Sequence, residues 1–117
     1  MKAKFESIKP KIIDKKVYVK IHESDMASIF AFSDPELIDK TLQSDKISLF
    51  VNPTFYKGKL IPLIDALKII SEHPNANIVG RLAYYAALLK IIDPRILLWI
   101  HDKNTNWKIP HVILMRT

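Results

Sequence analysis

The sequence predicts an α+β domain of two layers, in which about three helices pack on one face of a mixed or antiparallel sheet of about five strands. Two observations lead to this prediction. Some segments alternate apolar and polar residues, as half-buried strands do, whereas others repeat apolar residues every three or four positions, as amphipathic helices do. At 117 residues the chain has room for one hydrophobic core. We therefore expect a single domain over residues 17–117, preceded by a basic arm, residues 1–16.

The arm is expected to be extended, with a short strand near residues 11–14. The sequence Lys-Pro-Lys at positions 9–11 argues against a continuous helix, because proline lacks the backbone N–H and restricts the residue before it. A free arm of this kind would carry its lysines away from the domain and along a partner.

The charge of the chain is unevenly distributed. Residues 1–20 hold seven lysines against two acidic residues, a balance of +5. Residues 21–58 have a balance of −3 and residues 59–117 one of +4, which together give the net charge of +6. Such a distribution favours polyanions as partners, with an affinity that salt weakens. A solvated tail that only improves solubility is the alternative.

The first half of the domain is expected to form a hairpin, a helix and a further strand. Val17, Val19 and Ile21 alternate with polar residues, and a turn of charged and small residues separates them from an antiparallel partner. The sequence Ser-Asp-Pro-Glu at positions 33–36 is typical of a helix start. The predicted elements are strands 17–22 and 27–32, a helix 35–42 and a strand 47–51.

The second half is expected to form two helices and a final hairpin. An aromatic turn, Phe-Tyr-Lys-Gly at positions 55–58, comes first. A helix opened by a proline then has Leu63, Leu67 and Ile70 on one stripe, at helical spacing. The predicted elements are helices 62–72 and 76–91, the second capped by Asn75 or Asn77, and strands 96–101 and 109–115 around a polar loop, residues 102–108.

Composition excludes several classes of protein. The chain has no cysteine, which removes disulfides, cysteine-based zinc sites and thiol nucleophiles. The four histidines show no paired helical spacing, so we expect no metal site and no cofactor. The most apolar stretch, residues 82–92, is far shorter than the roughly 18 residues of a membrane span. We therefore expect a cytoplasmic protein without a membrane partner.

Five short motifs resemble those of one known family. They are Lys-Ile-His-Glu at 20–23, Asp-Pro-Glu-Leu-Ile-Asp-Lys-Thr at 34–41, Phe-Tyr-Lys-Gly at 55–58, Ala-Asn-Ile-Val-Gly at 76–80 and Ile-Pro-His at 109–111. In this order they resemble the small archaeal domain-of-unknown-function family numbered four hundred and twenty-four. The resemblance spans residues 17–113 and implies an archaeal protein with a compact α+β fold. It implies no activity, because the role of that family is unknown.

The chain departs from the pattern of that family in three places. It adds the basic arm, it has a longer polar loop at residues 102–108, and it continues beyond His111. The role of the arm therefore need not be shared by the whole family.

Basic, aromatic and hydrogen-bonding residues in four regions are the candidates for contact with RNA or phosphate. They lie in the arm, in the aromatic turn, at the expected start of the helix 76–91, and in the last loop and strand. Aromatic rings between cations suit single-stranded RNA, because bases stack on the rings while the cations bind phosphates. The candidates are Lys2, Lys4, Lys9, Lys11, Lys15, Lys16, Tyr56, Lys57, Lys59, Asn77, Arg81, Trp107, Lys108 and His111.

Each candidate region also has a structural interpretation. Gly80 and Arg81 could bind an anion at a helix N-terminus, or the glycine could permit tight packing. In the aromatic turn we expect Phe55 to be a core residue and Gly58 to supply a special turn conformation. His111 could be a base or could make a structural hydrogen bond.

The two tryptophans are expected to differ. Trp99 lies in an apolar run and is expected in the core, whereas Trp107 lies in a polar loop and is expected to be exposed. An exposed tryptophan beside basic residues suits base stacking or a partner interface, but a lid over a hydrophobic edge is an alternative.

Three functions remain open from the sequence. The leading hypothesis is a non-enzymatic RNA-associated protein bound to the archaeal ribosome or translation apparatus, with rRNA or another RNA and ribosomal or translation proteins as partners. The second is a protein-interaction adaptor that uses the acidic residues of 23–45. The third is a small anion-binding or nucleotide-binding domain, or an enzyme, around Asn77, Arg81 and His111.

Overall fold

The computed structural model of the protein describes residues 2–73 and 75–115. Two 3-10 turns, Pro35–Leu37 and Pro94–Ile96, join longer elements. The helices are α1 (Lys2–Ile12), α2 (Pro53–Tyr56), α3 (Leu63–Glu72) and α4 (Arg81–Leu88). The strands are β1 (Lys16–Glu23), β2 (Ser28–Ser33), β3 (Thr41–Gln43), β4 (Ser48–Phe50), β5 (Lys59–Pro62), β6 (Asn75–Val79), β7 (Leu98–His101) and β8 (Lys108–Met115).

A mixed sheet organises the described part of the chain. Its six strands lie in the order β5-β1-β2-β6-β8-β7, and β3 and β4 form a separate two-stranded hairpin. Within the larger sheet, β2 and β6 are parallel and the other neighbours are antiparallel. The predicted α+β fold is confirmed. The strand β5, which we did not predict, occupies the edge beside β1.

The main core lies between the sheet and the helices α1, α3 and α4. It contains Phe32 and Ile78 from the sheet, and Ile70 and Leu82 from the helices, all fully buried or nearly so. The stripe predicted for α3 is confirmed, because Leu63, Leu67 and Ile70 face this core. The opposite face of the sheet carries a smaller cluster that includes Leu37, Leu42, Val51, Tyr56 and Ile100.

The prediction of an extended arm is wrong, because residues 2–12 form the helix α1. Ile8 and Ile12 are 4% and 0% exposed and pack in the main core, with Phe5 partly buried beside them. Burying two such side chains contributes roughly 2–3 kcal/mol each, which exceeds the cost of about 3 kcal/mol for a proline inside a helix. Pro10 is therefore tolerated in the last turn of the helix.

The predicted helix 35–42 is also wrong. Only the 3-10 turn Pro35–Leu37 is helical, and the chain then turns at Asp39, whose φ is 70°. Asp39 and Lys40 exchange backbone hydrogen bonds of 2.8 Å with Val51, which extends the pairing of β3 with β4. Residues 39–42, which local sequence predicts to be helical, therefore belong to the hairpin of β3 and β4.

The predicted helix 76–91 divides into the strand β6 and the helix α4. Ala76 and Ile78 face the main core, whereas Val79 faces the smaller cluster, as alternation in a strand requires. Gly80 has a φ of 110° and separates the two elements. Neither Asn75 nor Asn77 caps a helix, because both lie in β6.

Within the described residues, no helix combines the length and the apolar character that a bilayer span requires.

Candidate functional site

An open cleft of about 1060 Å³ lies where β6 ends and α4 begins. The turn after β2 contributes Asp34 and Glu36 to its lining, and the first residue of α4 contributes Arg81. Aromatic residues from α4, from β7 and from the loop between β7 and β8 line the rest. The cleft thus has a polar end and an aromatic end.

The aromatic end consists of three half-exposed side chains. Tyr84, Trp99 and Trp107 are 43%, 48% and 45% exposed. The rings of Tyr84 and Trp99 meet edge to face, with centroids 6.3 Å apart. The prediction that Trp99 lies in the core is wrong, because it is on an edge strand and faces the cleft, whereas the predicted exposure of Trp107 is confirmed. Exposed aromatic rings gathered in one place mark an interaction surface.

A smaller groove of about 270 Å³ adjoins the cleft, and Tyr84 and Trp99 line both. Lys4 of α1 and Lys90, just after α4, line this groove. At the other end of the aromatic group, exposed Lys108 lines the cleft beside Trp107. Cations therefore lie at both ends of the aromatic surface.

An ionic cluster forms the polar end of the cleft. The Asp34 carboxylate accepts a hydrogen bond of 3.0 Å from the backbone N–H of Arg81 through Oδ2. Its Oδ1 lies 3.5 Å from Nη1 of the Arg81 guanidinium, and the Nη2 of that group pairs with Glu36. Burial raises the pKa of Asp34 to about 6, and the positive charge of Arg81 opposes this shift only in part.

Gly80 allows this cluster to form. A Cβ atom at this position would lie 2.3 Å from Oδ2 of Asp34, and its φ of 110° disfavours other residues. The packing interpretation of Gly80 is thereby confirmed. The Asp34 carboxylate accepts from the backbone N–H of Arg81 and so lies where an external anion would bind at this helix start.

Asp102 fixes the loop that carries Trp107. Its carboxylate accepts hydrogen bonds from the backbone N–H of Gln43 at 2.8 Å and from the Thr105 hydroxyl at 2.7 Å. These bonds lower the pKa of Asp102, which is 1% exposed. The Thr105 hydroxyl in turn accepts a hydrogen bond of 3.1 Å from the backbone N–H of Trp107. We did not single out Asp34 or Asp102 from the sequence.

Three of the predicted residues meet on the face of the sheet that carries the smaller cluster. The Asn77 Oδ1 accepts a hydrogen bond of 2.6 Å from the Tyr56 hydroxyl and lies 3.0 Å from Nε2 of His111. Burial raises the pKa of Tyr56 to about 12 and lowers the pKa of His111. Tyr56 is 3% exposed, so its ring is not available for stacking. Arg81 lies in the ionic cluster instead, so it does not complete a site with Asn77 and His111.

The aromatic turn is a structural contact. Phe55 packs on the smaller cluster and stacks on His22, with ring centroids 4.4 Å apart. Gly58 does not have a positive φ, so the predicted special conformation is wrong. Glycine is needed at position 58 because the backbone of β1 lies very close to it. A Cβ atom there would lie 2.1 Å from the carbonyl oxygen of Val19.

The predicted lysines lie on several surfaces. Lys4, Lys9 and Lys11 are exposed on α1, and Lys4 alone of these lines the groove. Lys15 is half-buried before β1, and the structure places Lys2 in α1 without describing its side chain. The remaining lysines, Lys16, Lys57 and Lys59, are exposed near the edge formed by β1 and β5.

Among residues 2–73 and 75–115, no group of three or more histidine, aspartate or glutamate side chains is placed to hold a metal ion.

Comparison with known proteins identifies a family and a similar structure. The family described as "Protein of unknown function (DUF424)" matches residues 21–107, which confirms the resemblance seen in the motifs. No curated protein matches the chain. A crystal structure of an uncharacterized conserved protein from Methanopyrus kandleri is similar, with a TM-score of 0.64 and 22% identity over 87% of this chain and 95% of that one.

Proposed function

The chain belongs to the DUF424 family of unknown function, and we propose that it is a non-enzymatic RNA-associated protein that holds single-stranded RNA on the aromatic cleft. One observation carries the proposal. Tyr84, Trp99 and Trp107 are each nearly half exposed and line one continuous depression whose ends are lysines. Stacking platforms flanked by cations are the common design of proteins that bind single strands.

The chemistry of the surface suits this ligand. Stacking of a base on an aromatic side chain is worth about 1–3 kcal/mol and tolerates any sequence. Lys4, Lys90 and Lys108 can neutralise phosphates along the same path, which makes binding depend on salt. At the polar end of the cleft, Arg81 pairs with both Asp34 and Glu36, so its single positive charge offsets one of the two negative charges.

The lysines of the first residues also support RNA binding, but as part of a packed helix and not as a free arm. Since α1 is packed on the domain, its lysines do not thread along a partner, and the exposed Lys4 contributes a positive charge to the groove beside the aromatic rings. We place the protein in the cytoplasm, on the archaeal ribosome or translation apparatus, with rRNA or another RNA as its ligand. Sedimentation with ribosomes at rising salt tests this location.

The other two hypotheses have weaker support. Among the six acidic residues of 23–45, Asp34 is buried, and Glu36 and Asp45 already form ion pairs with Arg81 and Lys103. This leaves less free charge for an acidic docking surface. The third hypothesis needs Asn77, Arg81 and His111 together, and Arg81 is engaged elsewhere.

Tryptophan fluorescence tests the proposal directly, because both tryptophans of the chain line the cleft. Single-stranded RNA should quench this fluorescence at low salt. The variant Trp107→Ala should weaken binding about tenfold, since it removes one stacking platform. The matched control is Phe50→Ala, because Phe50 is 48% exposed on β4, outside the cleft. Absence of binding at low salt, or equal affinity of the Trp107→Ala variant, would contradict the proposal.

A further inference from the structure

We propose that Asp34 reads the base held in the cleft, by accepting a hydrogen bond from an exocyclic amino group of that base. This inference rests on the proposed function, because it assumes that a base enters the cleft. It adds a specificity: bases that carry an amino group are preferred, and cytosine is the member of this class that can be compared with uracil at equal size.

The first argument is the bonding of the Asp34 carboxylate. Its side chain lines the cleft and is only 7% exposed. The Oδ2 atom accepts from the N–H of Arg81, whereas Oδ1 has no hydrogen-bond partner among the described residues. Buried acceptors are rarely left in this state, and a native exception often indicates a ligand or water that completes the site. One acceptor oxygen is therefore available for a donor.

The second argument concerns access. The guanidinium of Arg81 covers Oδ1 at 3.5 Å, but its side chain is 40% exposed and has Glu36 as another partner. A turn of the guanidinium towards Glu36 keeps one ion pair and uncovers Oδ1. A base that stacks on the aromatic rings meets the polar end with its edge, because its faces are occupied. An amino group on that edge then replaces the guanidinium at Oδ1.

The third argument is the donor pattern of the bases. Cytosine has an amino group at C4, a hydrogen-bond donor, where uracil has a carbonyl oxygen, an acceptor. A carboxylate accepts from the first and repels the second. Asp34 therefore discriminates between two bases that stack almost equally well.

The experiment compares oligocytidylate and oligouridylate of eight nucleotides, together with free CMP, by tryptophan fluorescence of the full chain. We expect oligocytidylate to bind about tenfold more tightly than oligouridylate. Preference for C in the oligomers alone indicates an RNA strand as ligand, and equally tight binding of CMP indicates a free nucleotide. Equal affinity of the two oligomers overturns the inference and leaves the proposed function intact. Failure of both to bind overturns the proposed function.

Two further measurements assign the preference to Asp34. An oligomer of N4,N4-dimethylcytidine, which has lost both N–H donors, should bind the unaltered protein no better than oligouridylate does. In the Asp34→Asn variant, the amide oxygen takes the bond from Arg81, and the amide N–H₂ then faces the cleft. This variant should reverse the preference towards uracil. Retention of the cytosine preference by the dimethylated oligomer, or by a folded Asp34→Asn variant, would show that another group reads the base.

Discussion

At the scale of single residues, the polar end of the cleft is organised around the buried carboxylate of Asp34. Asp34 lies beside the first N–H of α4, under the guanidinium of Arg81 and against Gly80. Burial disfavours its charged form, whereas the helix N-terminus and Arg81 favour it. Because the first effect is larger, the pKa of Asp34 rises to about 6, and this residue titrates in a range where most carboxyl groups are fully ionised.

The first prediction is a pH dependence of stability. The folded pKa of Asp34, about 6, is above its ordinary value of 3.8, so the folded state binds the proton more tightly. Below pH 4, this difference in pKa therefore adds about 3 kcal/mol to the free energy of unfolding. The added stability is lost as the pH rises from about 4 through 6. Urea unfolding of the protein and of the Asp34→Asn variant between pH 4 and 7 checks this. If the difference in the free energy of unfolding between the protein and the variant did not change with pH, the prediction would be wrong.

A second prediction concerns Gly80. The Gly80→Ala variant should lose at least about 2 kcal/mol, because it adds backbone strain and a contact with the Asp34 carboxylate. In the Asp34→Ala background the same change should cost less, since only the strain at φ 110° remains. Thermal or urea unfolding of the four proteins measures the coupling. Equal costs in both backgrounds would show that the contact has no energetic effect.

At the scale of elements, α1 belongs to the domain. Three of its apolar side chains, Phe5, Ile8 and Ile12, recur at the spacing of a helix face and contact the main core. The lysines occupy the remaining surface. The segment is therefore an amphipathic helix whose polar face is basic. We expect it to be helical only when its apolar face is packed on the core, because short isolated helices are marginally stable in water.

The prediction for this element uses two neighbouring isoleucines. Ile12→Ala should lower the free energy of unfolding by about 2–4 kcal/mol, because it leaves a cavity in the core. Ile13→Ala is the matched control and should change it by less than about 0.5 kcal/mol, since Ile13 is 57% exposed. Chemical denaturation measures both. If the two variants were equally stable, α1 would not be part of the cooperative unit.

At the scale of the whole molecule, the cleft is assembled from distant parts of the sequence. The N–H of Arg81 and its acceptor Asp34 are 47 residues apart, and Asp102 is 59 residues from the N–H of Gln43 that it binds. The parallel pairing of β2 with β6 places Asp34 beside Gly80, because Ser33 lies opposite Val79. The cleft is thus a product of sheet topology.

The prediction at this scale is a salt dependence of RNA binding. Each phosphate neutralised by a lysine contributes about 0.7 to the slope of log K against log salt for a single strand. Removing Lys4, Lys90 or Lys108 by substitution with alanine should therefore reduce the slope by about this amount. Lys46→Ala, in the turn between β3 and β4, is the control and should leave the slope unchanged. Unchanged slopes in all variants would contradict the assigned path.

Features that depend on local periodicity can be predicted from the sequence. The hairpin of β1 and β2, the buried stripe of α3, the final hairpin and the α+β class all follow from spacing within a few residues, and the structure confirms them. The exposed Trp107 followed from its polar neighbours. These features were predictable because side-chain direction in a strand or helix is fixed by the local backbone.

The remaining features depend on contacts between segments that are far apart in the chain. Burial of Ile8 and Ile12 overrides Pro10 and makes α1 a helix, while pairing with β2 and β8 makes residues 75–79 a strand. The position of β7 at the edge of the sheet exposes Trp99, although its neighbours are apolar. The reason is the same in each case. Packing and strand pairing join residues far apart in the chain, and such contacts cannot be predicted from the neighbouring sequence.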